Sequence, residues 1–182
     1  MPDLRDAYKR RHPDLQRAME RLRSLLMEIE ATIEDKTLVR ARMSGSRIKE
    51  LGSLESKARK NGWQGDDAFT ECPDVIGARV VCNNVEDVYR FAALLQERLP
   101  SDSAFEIQDY IQKPNNRGYR ALHINFRLDA GASFVPVLIP CEIQIRTRLQ
   151  DAWGDLTHGD IYKQPDLPED LRERTKDLAE IL

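Results

Sequence analysis

Val135-Pro-Val-Leu-Ile-Pro-Cys-Glu-Ile-Gln-Ile-Arg-Thr147 is the stretch that decides the fold. Its odd positions, Val135, Val137, Ile139, Cys141, Ile143 and Ile145, are all apolar, while its even positions end in Glu142, Gln144 and Arg146. A period of two is the signature of a β-strand with one face in the core. The other face carries an acid, an amide and a base in sequence. Upstream, Ala121 to Leu128 repeats the pattern: Leu122, Ile124, Phe126 and Leu128 share one face, and His123, Asn125 and Arg127 share the other. Two neighbouring strands of this kind make a polar floor.

Further strands are expected at Val75 to Cys82 and Phe105 to Ile111, with helices at 49–61, 84–98, 147–163 and 168–181. Residues 3–34 carry Leu15, Met19, Leu22, Leu25, Leu26, Ile29 and Ile33 at three- and four-residue steps, which predicts an amphipathic helix interrupted near Pro13. The irregular alternation of strands and helices predicts an α+β (mixed α/β) sandwich. One domain is expected, made of an N-terminal helical segment at 1–35, a core at 36–165 and a C-terminal helix at 166–182. The chain stops inside that expected helix at Leu182, which would suit a piece of something longer. The first and last helical stripes could also serve a homo-oligomer.

Composition narrows the function classes. The 182 residues include 28 Lys and Arg against 31 Asp and Glu, a net charge of −3, which is too acidic for bulk electrostatic binding of nucleic acid. No apolar run of membrane-spanning length exists and the N-terminus is charged, so a soluble cytoplasmic protein is expected. The three cysteines, Cys72, Cys82 and Cys141, have no CxxC spacing and read as buried free thiols.

Charge is unevenly placed. Between Lys36 and Lys60 eight Lys or Arg stand against Glu50 and Glu55 alone. On a helix, Lys49, Ser53, Lys57 and Lys60 fall on the side opposite Ile48, Leu51, Leu54 and Ala58, and their repulsion would be relieved by a polyanion. Ser44-Gly45-Ser46 before Arg47 reads as a small-residue turn able to offer backbone N–H groups to a phosphate. Taken alone, such a basic face is ordinary solvated surface. Asp74 opens the strand Pro73-Asp-Val-Ile-Gly-Ala-Arg-Val-Val and, with Glu142, could bind a hard cation. Strict alternation then sets Asp74 and Arg79 on opposite faces, a conflict that a bulge at Gly77 would resolve.

Five segments, Arg47-Ile-Lys49-x3-Ser53-x3-Lys57, Asp74-x-x-Gly77-x-Arg79, Gly118-Tyr119-Arg120-Ala121-Leu122-His123, Glu142-Ile-Gln144-Ile-Arg146-Thr147, and Trp153 with His158 and Tyr162-Lys163, occur in the order of the RelA/SpoT synthetase domain. The chain resembles that family over about residues 36–163. The resemblance implies a nucleotidyltransferase-like fold, a mixed sheet of about five strands flanked by helices. It also implies transfer of the β,γ-pyrophosphate of ATP to the 3′-hydroxyl of GDP or GTP, giving ppGpp or pppGpp and AMP. Arg47 and Arg79 would sandwich the adenine, and Lys49, Lys57 and Lys60, with Ser53 and Arg59 beside them, would hold the phosphates. Asp74 and Glu142 would bind Mg²⁺, with Glu142 also the base. Tyr119 would stack on the acceptor base near His123, Gln144 and Asn125. A hydrolase unit of this family needs a His-Asp motif, and none of His12, His123 or His158 is followed by Asp, so a synthetase only is expected.

The departures from the family gather on the acceptor side. Lys113-Pro114-Asn115-Asn116-Arg117 stands where Asn-Pro-Lys-Pro-Asn is usual, Ala121 replaces a serine, and Thr157 replaces a glutamate. Lys113 and Arg117 are nevertheless candidates for the acceptor nucleotide. The alternatives are a toxin-type relative that pyrophosphorylates adenine nucleotides or the tRNA 3′ end, and a non-catalytic nucleotide-binding module.

Overall fold

The computed structural model describes residues 3–33, 40–100, 104–116, 118–131 and 136–157, with 168, 170, 173–175 and 177–178. The boundaries expected at 35/36 and 165/166, and Arg117, His158, Tyr162 and Lys163, lie outside the described residues. The elements run α1 (Leu4–Ile33), β1 (Ala41–Ile48), α2 (Leu51–Asn61), α3 (Asp67–Glu71), β2 (Ile76–Cys82), α4 (Val85–Arg98), β3 (Glu106–Asp109), β4 (Leu122–Asp129), β5 (Leu138–Thr147) and α5 (Arg148–Leu156). The five strands form one sheet in the order β1-β2-β5-β4-β3. Only β2 and β5 are parallel, so the sheet is mixed, as expected.

The period of two in β2, β4 and β5 sorts their residues cleanly. Ile76, Ala78, Val80, Leu122, Ile124, Phe126, Cys141, Ile143 and Ile145 are buried on one face. Against them pack the α1 stripe, Leu15, Leu22, Leu26 and Ile29, and Val88, Phe91 and Leu95 of α4. Burying side chains of this size is worth about 1.5–3 kcal/mol each, so this layer holds the polar face above it in place. Asn84 caps α4 by accepting from the Asp87 N–H at 2.8 Å.

Pro13 does not interrupt α1, which is continuous through it. Its ring sits on the exposed side of the helix, where water can serve the carbonyl that loses its N–H partner, while apolar residues on both sides stay packed. Ser44-Gly45-Ser46 is not a turn before a helix. It lies in β1, whose backbone pairs antiparallel with β2, Gly45 opposite Arg79 and Ser46 opposite Ala78. The irregularity is in this strand, between Met43 and Gly45; β2 and β5 pair without a shift through Gly77. Pro140 is tolerated in β5 because the pairing with β2 begins only at Cys141, so on that side no ladder bond is missing. Among the described residues no helix is long and apolar enough to cross a membrane. All three cysteines are free and buried.

Candidate functional site

Strand register lays the polar residues out in two rows across the sheet. One runs Gly45, Arg79, Gln144, His123, Gln108; the next runs Arg47, Gly77, Glu142, Asn125, Glu106. The centre of both rows forms the floor of a cleft of about 810 Å³, also lined by Asp74, Asn115, Tyr119, Arg146 and, from α5, Trp153, Gly154 and Asp155. Alpha5 covers the floor because Thr147, the last residue of β5, caps it directly. Thr147 Oγ1 accepts from Gln150 N–H at 3.2 Å and Gln150 Oε1 accepts from Thr147 N–H at 3.0 Å, a reciprocal cap that turns the chain back over its own strand.

Asp74 is not part of β2. It occupies the turn before Ile76, so alternation does not apply to it and its carboxylate reaches the same cleft as Arg79. Lys49 Nζ donates to its Oδ2, Lys57 Nζ donates to Oδ1 at 2.8 Å, the Cys72 thiol donates at 3.2 Å, and an Arg47 guanidinium nitrogen lies 3.8 Å away. Burial pushes the Asp74 carboxyl up, but the hydrogen bonds from Lys49, Lys57 and Cys72 together outweigh it and hold it well below the usual carboxylate range. The same burial, with the Asp74 carboxylate beside it, raises the Cys72 thiol to about 11.

Lys49 lies before α2 rather than on it and is 8% exposed, fixed by its own N–H bonding to Val75 O at 2.9 Å and by the Tyr8 hydroxyl donating to its carbonyl at 3.0 Å. The four-residue cationic face expected on one helix is therefore divided. Lys49 and Lys57 meet on Asp74, whereas Ser53, Arg59 and Lys60 are exposed on α2; Asp74 itself lines the cleft, and none of these five does. Arg47 is open to solvent at the rim. Arg79 rises from β2 and is held by α5, with Asp155 Oδ1 at 2.9 Å and Asp151 Oδ1 at 3.2 Å.

Glu142 stands between this cationic half and an aromatic one. Its Oε2 accepts from Gln144 Nε2 at 2.8 Å and its Oε1 lies 3.4 Å from His123 Nδ1. Burial raises the Glu142 carboxyl, but the His123 and Gln144 contacts outweigh it and keep the group below its ordinary value. Beside it Gly77 presents no side chain, and a Cβ there would meet the Glu142 carbonyl at 3.3 Å. Asn125, paired with Glu142 across β4 and β5, has a buried Oδ1 with no hydrogen-bond partner among the described residues.

Tyr119 enters from the loop before β4, after Gly118 at φ 79°, a conformation that suits glycine. The Asn115 side chain and carbonyl accept from the N–H groups of Tyr119 at 3.2 Å and Gly118 at 2.9 Å. The Tyr119 ring meets Tyr110 edge-on at 5.7 Å and His123 at 5.6 Å, and the Arg146 guanidinium lies over it at 5.0 Å. Burial raises the Tyr119 hydroxyl, with Arg146 pulling against it. Lys113 is exposed in this loop and is not among the cleft's lining residues.

The structure adds residues to which sequence reasoning gave no role. Arg146, 5% exposed, ties Tyr119 to Gln144, and Asp151 and Asp155 brace Arg79. Arg146 belongs to the polar alternation of β5, which was the available signal. The α5 acids look like ordinary first-turn and surface acids, and only the fold brings them to Arg79.

Two carboxylates lining the cleft, Asp74 and Glu142, the first raising the proton affinity of the second, are hard oxygen donors suited to a small divalent ion. Their donor chemistry fits Mg²⁺, which needs only one or two protein carboxylates when substrate phosphates and water complete its shell. Among the described residues no cluster of three or more His, Cys, Asp or Glu forms a closed metal cage.

Comparison with known proteins agrees with this geometry. Residues 46–166 match the model of the region found in RelA/SpoT proteins. The GTP pyrophosphokinase YwaC of Bacillus subtilis is 30% identical over 139 residues, 75% of this chain and 66% of the relative. The GTP pyrophosphokinase YjbM of the same organism is 29% identical over 140 residues, 74% of this chain and 63% of the relative. The chain thus spans slightly less than two thirds of the length of these relatives. The crystal structure of small alarmone synthetase 1 from Bacillus subtilis bound to its product pppGpp superimposes with a TM-score of 0.81 at 25% identity, covering 96% of this chain and 90% of that one. Small alarmone synthetase 2 of that organism gives 0.77 at 27% identity, covering 92% and 87%. With the family region matched across most of its length and the sheet superimposing on these enzymes, the chain belongs to the RelA/SpoT family.

Proposed function

We propose that this chain is an ATP-dependent GTP/GDP pyrophosphokinase, a synthetase without a hydrolase unit. The observation that supports it best is the position of Glu142 on the floor, between the Lys49–Lys57–Asp74 cluster and the Tyr119 loop. The names of YwaC and YjbM and the pppGpp bound to small alarmone synthetase 1 point the same way.

In this reading Arg47 and Arg79 flank the adenine of ATP, using the flat guanidinium surface that an ammonium lacks. Lys49 and Lys57, held on Asp74 at the cleft, serve the phosphates, with Ser53, Arg59 and Lys60 exposed on α2. Tyr119 stacks on the guanine while Gln144, His123 and Asn125 border the acceptor. Glu142 takes the proton from the 3′-hydroxyl as its oxygen bonds to the β-phosphorus of ATP. The bond from that phosphorus to the α-phosphate oxygen breaks, and AMP leaves with the electron pair. Mg²⁺ held by Asp74 and Glu142, when bound, neutralises charge on the phosphates. Lys49 and Lys57, each held on an oxygen of Asp74, add their positive charge to the same phosphates.

The test is incubation of the purified chain with γ-labelled ATP and, separately, GDP, GTP, ADP, ATP and tRNA. Label entering GDP and GTP as pyrophosphate, with AMP formed in equal amount, is the expected result. Higher kcat/KM with ADP, ATP or tRNA than with either guanine nucleotide would replace this reading by the toxin-type one.

A further inference from the structure

One guanidinium nitrogen lies behind both contacts of the Glu142 carboxylate, a hydrogen bond from Gln144 and an ion-pair contact with His123. Arg146 Nη2 lies 2.7 Å from Tyr119 Oη and 2.7 Å from Gln144 Oε1. The Tyr119 hydroxyl lies 2.7 Å from His123 Nε2, and His123 Nδ1 lies 3.4 Å from Glu142 Oε1. On the other arm, Gln144 Nε2 donates to Glu142 Oε2 at 2.8 Å.

The donor and acceptor inventory gives this fork a direction. A guanidinium only donates, so Tyr119 Oη accepts from Arg146 and its own proton has one acceptor at hand, His123 Nε2. A neutral imidazole that accepts at Nε2 must donate at Nδ1, toward Glu142 Oε1. On the second arm, Arg146 fixes Gln144 Oε1 on its own side, which turns the amide nitrogen toward Glu142 Oε2. Released from Arg146, the amide could rotate by half a turn and set its oxygen against the carboxylate. The root of the fork is itself fixed: Arg146 Nη1 is 3.5 Å from Asp151, and any side chain at Gly154 would come within 2.7 Å of that nitrogen.

We infer that Arg146 is a positioning residue for the proposed reaction, setting the orientation of Glu142 through two arms, Tyr119–His123 and Gln144, without itself holding a nucleotide. The inference rests on the reading of Glu142 as the base. It also gives Tyr119 a second duty, since its hydroxyl serves the arm whatever its ring stacks on. Outer hydrogen-bond partners of this kind typically contribute about 10- to 100-fold to activity.

The test has a readout that does not depend on turnover. The ring nitrogens of the chain's three histidines are followed by ¹⁵N NMR without nucleotide at about pH 8.5, above the ordinary imidazole range, with His123→Gln to assign the signal. The expected result is a proton on Nδ1 of His123 and an Nε2 signal that moves in the same sense in Tyr119→Phe and Arg146→Lys. A proton on Nε2 in the unaltered protein overturns the direction of the fork, even if no Arg146 variant folds. An Nε2 signal untouched by Arg146→Lys overturns it as well. In turnover assays both variants should lose about 10- to 100-fold in kcat with KM for both nucleotides within about threefold, and the double variant should lose less than the product of the two. A raised KM with kcat intact would make Arg146 a nucleotide contact and sink the inference. An unaltered protein with no transfer to any guanine nucleotide would defeat the reading of the reaction, and the ring-nitrogen result then decides the fork by itself.

Discussion

Lys57 Nζ on α2 lies 2.8 Å from Asp74 Oδ1, on the carboxylate whose other oxygen Lys49 engages. The folded Asp74 carboxyl sits below its unfolded value, so its stabilising contribution is complete above about pH 4 and is lost as pH falls toward the folded value. Asp74→Asn should therefore lower stability by about 1–3 kcal/mol at neutral pH, and the gap in urea midpoint between the two proteins should narrow from pH 7 to pH 3. A gap that stays constant with pH would mean that Asp74 is not the group responsible.

Glu142→Gln keeps the size of the side chain and removes the proposed base. Turnover should fall by about 100-fold or more with the circular dichroism spectrum unchanged, because the apolar face of β5 is untouched. Wild-type kcat in this variant at saturating Mg²⁺ would remove Glu142 from both the base and the metal role.

Arg79 is braced from above by Asp151 and Asp155. Arg79→Ala should raise the KM for ATP by about tenfold, the scale of one cation–π contact, and leave the acceptor KM within about twofold. Isothermal titration with a non-hydrolysable ATP analogue reads the same loss directly. Equal weakening of both nucleotides would place Arg79 between the two sites rather than on the donor.

Tyr119→Ala and Tyr119→Phe separate the ring from the hydroxyl. Loss of the ring should raise the acceptor KM by roughly 5- to 150-fold, from stacking worth about 1–3 kcal/mol, with ATP affinity preserved. If Phe raises the acceptor KM as much as Ala does, the ring is not the contact that matters.

Gly77→Ala places a methyl group against the Glu142 carbonyl at 3.3 Å, in the regular part of the β2–β5 pairing. The backbone must yield by a few tenths of an ångström, so kcat should fall several-fold while thermal unfolding shifts by only about 1 kcal/mol. An active, unshifted Gly77→Ala enzyme would show that the floor tolerates a wider spacing between these strands.

The parts of the fold that could be read in the sequence are those with two unlike faces. Beta5, β4 and β2 alternate because a buried layer lies on one side and a polar face on the other, and that alternation sets Glu142, Gln144, His123 and Asn125 on the polar face, where Glu142 and Gln144 line the cleft. Beta1 carries no signal because it lies at the sheet edge and, of Ala41 to Ile48, only Ala41 is buried, so no apolar period survives. Asp74 was placed in the strand it precedes, since nothing in Pro73-Asp-Val-Ile marks where pairing begins. Lys49 and Lys57 meet through the Asp74 carboxylate rather than along one helix face, a contact that helical spacing does not reveal. Arg79's brace on α5 joins residues 72 and 76 positions apart, a distance over which local pattern carries no information.

Beta5 lies at the centre of the sheet yet is the last strand in chain order among the described residues, between β2 and β4, which precede it. On a chain still being synthesised from its N-terminus, β2 and β4 each present an open edge until residues 138–147 arrive to join them. Asp74, the lysines and Tyr119 can all be in place by then, but the floor residues Glu142, Gln144 and Arg146 come in with the strand that closes the sheet. The step that seals the two edges is thus the same step that delivers Glu142 to the cleft.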